Sequence, residues 1–152
     1  GWADPEALLL QGFSYGALIG SFTLARSDSF VAAVLEHGNY DYRSCYGTSD
    51  YHGFLEAALG LPWEDYEAYE RSSLGKGVAN IETPTLLVAG GEDFRSPMSQ
   101  SEQLYTALRR QDVPARLLVY ARDAHEVSTN RREHRLTQLE QWYERFLPAT
   151  WE

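Results

Sequence analysis

The feature that most restricts the fold of this chain is the run Leu8-Leu9-Leu10-Gln11-Gly12-Phe13-Ser14-Tyr15-Gly16-Ala17-Leu18-Ile19-Gly20. A short apolar stretch ends at a glycine, a serine follows, and a second glycine opens a run that reads as helix. Gly-x-Ser-x-Gly in that setting predicts a strand turning sharply into a helix with the serine at the apex. A side chain at Gly12 or Gly16 is expected to collide with the neighbouring strand or helix, and glycine tolerates unusual backbone angles. The turn carries the Ser14 hydroxyl into the open. It also sets the backbone N–H of Tyr15 at a helix start, where it can face a developing negative charge. The same pentapeptide occurs as a plain Gly/Ser turn between a buried strand and a helix. What decides is whether an acid and a histidine follow.

Further along, strand-like and helix-like runs alternate. Residues 2–6 form a polar lead-in. Residues 7–11 read as a strand covered on both faces, 15–25 as a helix, and 30–35 as a second buried strand. Residues 36–53 form a long irregular stretch rich in Gly, Asn, Asp, Ser and Tyr, the kind of loop that is usually functional. Short helices are expected over 54–59 and 63–70, and a loop over 72–80. Residues 84–89 are a third strand, 98–110 a helix, and 115–120 a fourth strand. Residues 131–147 are a final helix with Leu136, Leu139, Tyr143 and Phe146 on its apolar stripe, ended by Pro148. This order predicts an α/β domain with a parallel sheet, whose chemistry sits at the carboxyl ends of the strands.

Ser14, Asp93 and His125 each lie just past the end of an expected strand. A serine hydroxyl is a weak nucleophile that needs a base, and a histidine can take and return its proton. A carboxylate holds the imidazole in the right tautomer and stabilises its positive form. Glu92 is the nearest rival to Asp93. His37 and His52 precede the acid in sequence, and His134 falls inside the final helix, so His125 is the preferred base. The order Ser, Asp, His is that of α/β-hydrolases.

Composition narrows the partners. The chain has 152 residues, 43% of them hydrophobic, which suffices for one domain with a core. A net charge of −9 argues against nucleic acid. No apolar run approaches the roughly 20 residues of a membrane span. The first residues carry no secretory signal, and the lack of an initial methionine leaves the natural start open. Cys45, alone, forms no internal disulfide and has no metal-ligand partner at useful spacing, which fits a reducing, cytoplasmic setting. No cofactor or metal is expected.

The chain resembles the C-terminal part of the catalytic domain of the prolyl oligopeptidase family of serine peptidases, and within it the acylaminoacyl-peptidase and dipeptidyl-peptidase-like members. The resemblance spans nearly all 152 residues. It rests on Gly12-Phe13-Ser14-Tyr15-Gly16, Tyr46-Gly47-Thr48-Ser49-Asp50, Pro62-Trp63-Glu64 and Tyr69-Glu70-Arg71-Ser72-Ser73. It is strongest in Thr83-Pro84-Thr85-Leu86-Leu87-Val88 with Gly91-Glu92-Asp93-Phe94-Arg95-Ser96-Pro97. Gln103-Leu104-Tyr105-Thr106-Ala107-Leu108 and Ala124-His125-Glu126 complete it. It implies a hydrolase of short peptides with Ser14 as nucleophile, Asp93 as acid, His125 as base and the Tyr15 N–H as an oxyanion donor. Arg95 would bind a substrate carbonyl or carboxylate; an exposed arginine equally often forms a surface ion pair.

Two departures from the family pattern stand out. Gly16-Ala17 replaces the usual Gly-Gly, and only seven residues precede Leu8. In this fold roughly half the sheet and the loop with the second oxyanion donor precede the nucleophile strand. The expectation is therefore residues 1–152 as a partial catalytic domain, the C-terminal half of an α/β-hydrolase with about four parallel strands, lacking the other half and the family's β-propeller. It could be a fragment of a longer enzyme, a natural half completed by another chain or a second copy at the open sheet edge, or an inert binding module. A half-sheet with an open central edge is hard to stabilise alone, which favours the fragment. An esterase of the same fold is the nearest alternative to a peptidase.

Overall fold

Four apolar runs become four parallel strands lying side by side in chain order. A computed structural model describes residues 4–149. Trp2 and Ala3 of the polar lead-in lie outside the described residues. The elements are β1 (Leu9–Phe13), α1 (Tyr15–Leu24), β2 (Ala32–Glu36), α2 (Tyr42–Tyr46), α3 (His52–Leu59), α4 (Tyr66–Arg71), β3 (Thr85–Gly90), α5 (Met98–Arg110), β4 (Ala115–Tyr120) and α6 (Arg132–Glu144). Short 3₁₀ segments cover Pro5–Ala7, Gly75–Asn80 and Thr129–Arg131.

Alternation along the strands divides the core in two. Ala33, Leu35 and Leu87 pack with Leu24 of α1 and Leu104 and Leu108 of α5 on one face. Ala32, Val34, Leu86 and Val88 pack with Leu139 and Trp142 of α6 on the other. β2 and β3 are buried along their whole length, as parallel strands covered on both faces must be. Each fully buried valine or leucine here contributes about 1.5–3 kcal/mol. The short helices between β2 and β3 form a third cluster around Cys45, Leu55 and Tyr69.

Several expectations are corrected. β1 starts two residues later than expected and is covered on one face only: Leu10 and Gly12 are buried, whereas Leu9 is 37% and Phe13 46% exposed. It is an edge strand, so half of its apolar run has no layer above it. The irregular stretch contains α2, because polar contacts rather than periodicity define that helix. The Asp41 carboxylate accepts from the Arg43 and Ser44 amides, and buried Gln100 of α5 accepts from the Tyr40 and Asp41 amides at 3.0 and 2.9 Å. The second short helix begins at Tyr66, where the Asp65 side chain caps it through the Ala68 amide at 2.9 Å. The last helix stops at Glu144, and its buried positions are Leu139 and Trp142; Leu136 is 58% exposed.

Candidate active site

All four strands run in the same direction, so their carboxyl ends share one rim, and each hands a polar residue to it. Phe13 ends β1 and Ser14 follows; Glu36 ends β2 and His37 follows. Asp93 lies three residues past the end of β3, and His125 five past the end of β4. The ladder continues past the strand ends. The Ser14 amide donates to the Glu36 carbonyl at 2.8 Å, that of His37 to Val88 at 2.8 Å, and that of Gly91 to Tyr120 at 2.9 Å.

Ser14 sits at φ 55°, ψ −120°, outside the regions open to most residues with a side chain. Such a conformation stores about 1–3 kcal/mol and survives only where the surroundings impose it. Gly12 is part of that imposition: a Cβ there would lie 2.3 Å from the Gly16 carbonyl oxygen. Gly16 is not. A Cβ on it meets nothing within 4 Å, so the steric demand expected at the second glycine is absent. The Tyr15 amide opens α1, among the first-turn N–H groups that have no acceptor within the helix.

The Ser14 hydroxyl lies 2.8 Å from Nε2 of His125, whose Nδ1 lies 2.9 Å from Oδ2 of Asp93. The network assigns the tautomer: an ionised carboxylate only accepts, so Nδ1 carries the proton and Nε2 accepts from the hydroxyl. Oδ1 of Asp93 accepts from the Arg95 and Ser96 amides at 2.9 and 2.7 Å. Burial alone would raise this carboxyl, but the donors on it, His125 and His37 foremost, hold it well below the usual carboxylate range. Glu92, the rival acid, is exposed, and its amide donates to the Asp123 carbonyl at 3.0 Å.

The acid and base loops are pressed together. A Cβ at Gly90 would lie 2.3 Å from the Asp123 carbonyl oxygen. Buried Asp123 organises the histidine loop, accepting from the Ser128 amide and hydroxyl at 3.0 and 2.9 Å and from Arg131 at 2.7 Å.

Arg95 donates to Asp50 at 2.6 Å, and its guanidinium stands 5.3 Å above the Tyr51 ring. It is thus in a surface ion pair and also borders a pocket of about 300 Å³ beside Ser14 and His125, lined further by Leu18, Tyr42 and Tyr51. Cys45 is fully buried, and burial pushes its thiol up to about 11, which leaves it inert.

The residue that sequence reasoning set aside is His37. Its Nδ1 lies 2.8 Å from the same Asp93 Oδ2 that His125 uses. Chain order had excluded it, but the position just past a strand end, which singles out the other three, applies to it equally. His52 is exposed on α3, and His134 on α6 pairs with the Tyr120 hydroxyl at 2.9 Å. Ligand atoms of His37, Asp93 and His125 lie within 4.8 Å of one another. Both Nδ1 protons point at one carboxylate oxygen, so these facing atoms are already one another's partners, while Nε2 of His37 is buried without a hydrogen-bond partner. Among the described residues no helix is long and apolar enough to cross a membrane.

A parallel sheet layered with helices, with serine, histidine and carboxylate hydrogen-bonded along its rim, is the α/β-hydrolase arrangement. Within that class the chain belongs to the prolyl oligopeptidase family, whose profile matches residues 1–150. It is 32% identical to the uncharacterized peptidase YuxL of Bacillus subtilis over 152 residues, covering 95% of this chain and 23% of that protein. It is 28% identical to the mouse acylamino-acid-releasing enzyme over 135 residues, 82% of this chain and 18% of that one. The fold matches the acylaminoacyl peptidase of Pyrococcus horikoshii with a TM-score of 0.87 and 28% identity, covering 99% of this chain and 26% of that structure. The chain therefore spans about a quarter or less of the length of these relatives.

Proposed function

We propose that this chain carries the nucleophile, base and acid of a serine peptidase acting on short peptides, either acyl-peptides or dipeptidyl and oligopeptide substrates. The observation that carries the reading is the unbroken path from the Ser14 hydroxyl through His125 to Asp93, with links of 2.8 and 2.9 Å, beside a pocket. In this reading His125 Nε2 takes the Ser14 proton as Oγ attacks the scissile carbonyl carbon. Asp93 stabilises the imidazolium that forms. The Tyr15 amide donates to the carbonyl oxygen as it becomes an oxyanion. Collapse expels the amine, which receives its proton from His125. Water then enters and attacks the acyl carbon, giving its proton to the same nitrogen, which returns it to the Ser14 oxygen as the acyl group leaves. The pocket lined by Leu18, Tyr42 and Tyr51 suits an apolar side chain next to the scissile bond. Arg95 at its mouth suits a substrate carbonyl or carboxylate, which would compete with Asp50 for the guanidinium.

We also propose that residues 1–152 are the C-terminal part of this catalytic domain, and that β1 adjoins further strands or a second chain. The support is its exposed edge and the groove of about 740 Å³ beside it, lined by Gln11, Leu136, Tyr143 and Leu147. A lone buried thiol supports a reducing compartment such as the cytoplasm.

The test is a fluorophosphonate probe applied to the protein at its natural full length and to Ser14→Ala. Labelling that disappears in the variant, with cleavage of acyl-peptides, is the expected result. Ester turnover without peptide cleavage would replace the peptidase by an esterase. No labelling of either protein would favour an inert interaction module.

A further inference from the structure

His37 is the one group at the rim that the proposed chemistry leaves idle, yet it is tightly held. Its φ of 52° is a left-handed conformation uncommon for residues with a Cβ. Its side chain is fully buried against Asp93. The rings of His37 and His125 stand edge to face with centroids 5.7 Å apart, and Phe13 lies 5.4 and 5.3 Å from them. Two imidazoles thus converge on Oδ2 of Asp93, at 2.8 and 2.9 Å, and only one of them reaches a serine.

The second donor has a geometric consequence. Together with the Arg95 and Ser96 amides on Oδ1, it fixes the plane of the carboxylate, so that Oδ2 cannot swing away from His125. A carboxylate held in place keeps the imidazole in the orientation that reaches Ser14, and that raises the rate.

We propose that His37 is a positioning residue: by donating from Nδ1 to Asp93 Oδ2 it holds the carboxylate against His125. The inference rests on the hydrolase reading above. The other ionisable groups around this pair are Arg95, turned to Asp50, and Cys45 of α2, whose buried thiol stays protonated. Glu36, beside His37 in the chain, is paired with Arg135 of α6.

Two substitutions in the full-length protein test it. His37→Phe keeps a ring and removes the donor. His37→Asn keeps an amide N–H near the Nδ1 position, and asparagine accepts a left-handed backbone. For His37→Phe, kcat falls about tenfold at constant KM, the scale of one charge-assisted hydrogen bond. His37→Asn recovers the rate. Proton spectra in water resolve two far-downfield imidazole protons in the unmodified protein and one in His37→Phe. Should His37→Phe not fold, His37→Gln, whose amide reaches the Nε2 position instead, replaces it and is expected to behave the same. An unchanged kcat in the donor-less variant, an equal loss in His37→Asn, or a single downfield proton in the unmodified protein overturns the proposal. If the unmodified protein neither labels nor hydrolyses, the hydrolase reading falls and takes this inference with it. Normal hydrolysis with no effect at His37 removes this inference alone.

Discussion

Asp93 is the residue on which most of the rim depends, because every lone pair that a neighbour can reach is used. Its Oδ1 faces two backbone amides and its Oδ2 two imidazoles. An asparagine amide placed there must point its own N–H groups at one of those donor pairs. Asp93→Asn is therefore expected to lower kcat/KM about 10⁴-fold through the wrong imidazole tautomer. It should also cost about 1–3 kcal/mol of stability through opposed donors. Glu92→Gln, on an exposed side chain, should stay within about 0.5 kcal/mol. Because folding lowers the Asp93 carboxyl, its stabilisation is full above its unfolded value of about 3.9 and is lost as pH falls toward its folded value. Denaturant titrations of both proteins should show a gap that is constant at neutral pH and shrinks in acid. A gap that does not depend on pH would refute this account of Asp93. Ser14, Asp93 and His125 were legible because parallel strands deliver their next residues to one place. His37 was not, since an argument from chain order looks for one histidine and stops there. The Arg95–Asp50 pair was visible only as one of two options.

Among the elements, three were read almost to the residue. β3, α5 and β4 lie within one residue of their expected bounds, because continuous apolar runs and 3.6-residue spacing have direct physical causes. α2 could not be read, since its start is fixed by Asp41 and by Gln100, a residue far along the chain. The turn from β1 to α1 separates two glycines that look alike in sequence. Gly12→Ala would drive a methyl into the Gly16 carbonyl and should abolish fluorophosphonate labelling. Gly16→Ala meets open space and should keep labelling, with stability unchanged or raised by up to about 1 kcal/mol. Equal labelling of the two variants would contradict the steric role given to Gly12. A second test concerns α6. Arg135 reaches Glu36, whose side chain is 1% exposed at the end of β2, and Gln11 donates to the same carboxylate at 2.9 Å. Arg135→Met leaves that charge buried without its partner and should cost about 3–5 kcal/mol, most of it recovered in Glu36→Leu/Arg135→Met. A loss below about 1 kcal/mol in the single variant, by urea unfolding, would show that water already reaches the pair.

At the scale of the whole molecule the decisive feature is the uneven sheet. β2 and β3 are sealed, whereas β1 presents Leu9 and Phe13 to solvent, and one of its carbonyls, that of Leu10, is taken by the Tyr143 hydroxyl at 3.1 Å. Unpaired strand edges beside apolar side chains recruit other strands. Produced as residues 1–152 alone, the chain is expected to self-associate through β1, and Leu9→Lys should return it toward monomer in sedimentation velocity. Its chemistry should be weak in either state. Under the proposed function the Tyr15 amide serves as one oxyanion donor. The second in this fold comes from a loop after a strand that precedes the nucleophile strand, and β1 is the first strand among the described residues. Loss of one such donor costs about 10²–10³ in rate. Set against a kcat/KM of about 10⁴ M⁻¹s⁻¹ at the low end for enzymes, acyl-peptide hydrolysis by these residues alone should fall below about 10² M⁻¹s⁻¹. Labelling of Ser14 should persist more slowly, since the hydrogen-bonded path from Ser14 to Asp93 lies wholly within the chain. Turnover above about 10⁴ M⁻¹s⁻¹ by the purified 152 residues would mean that the sheet, open as it is, already holds a complete site.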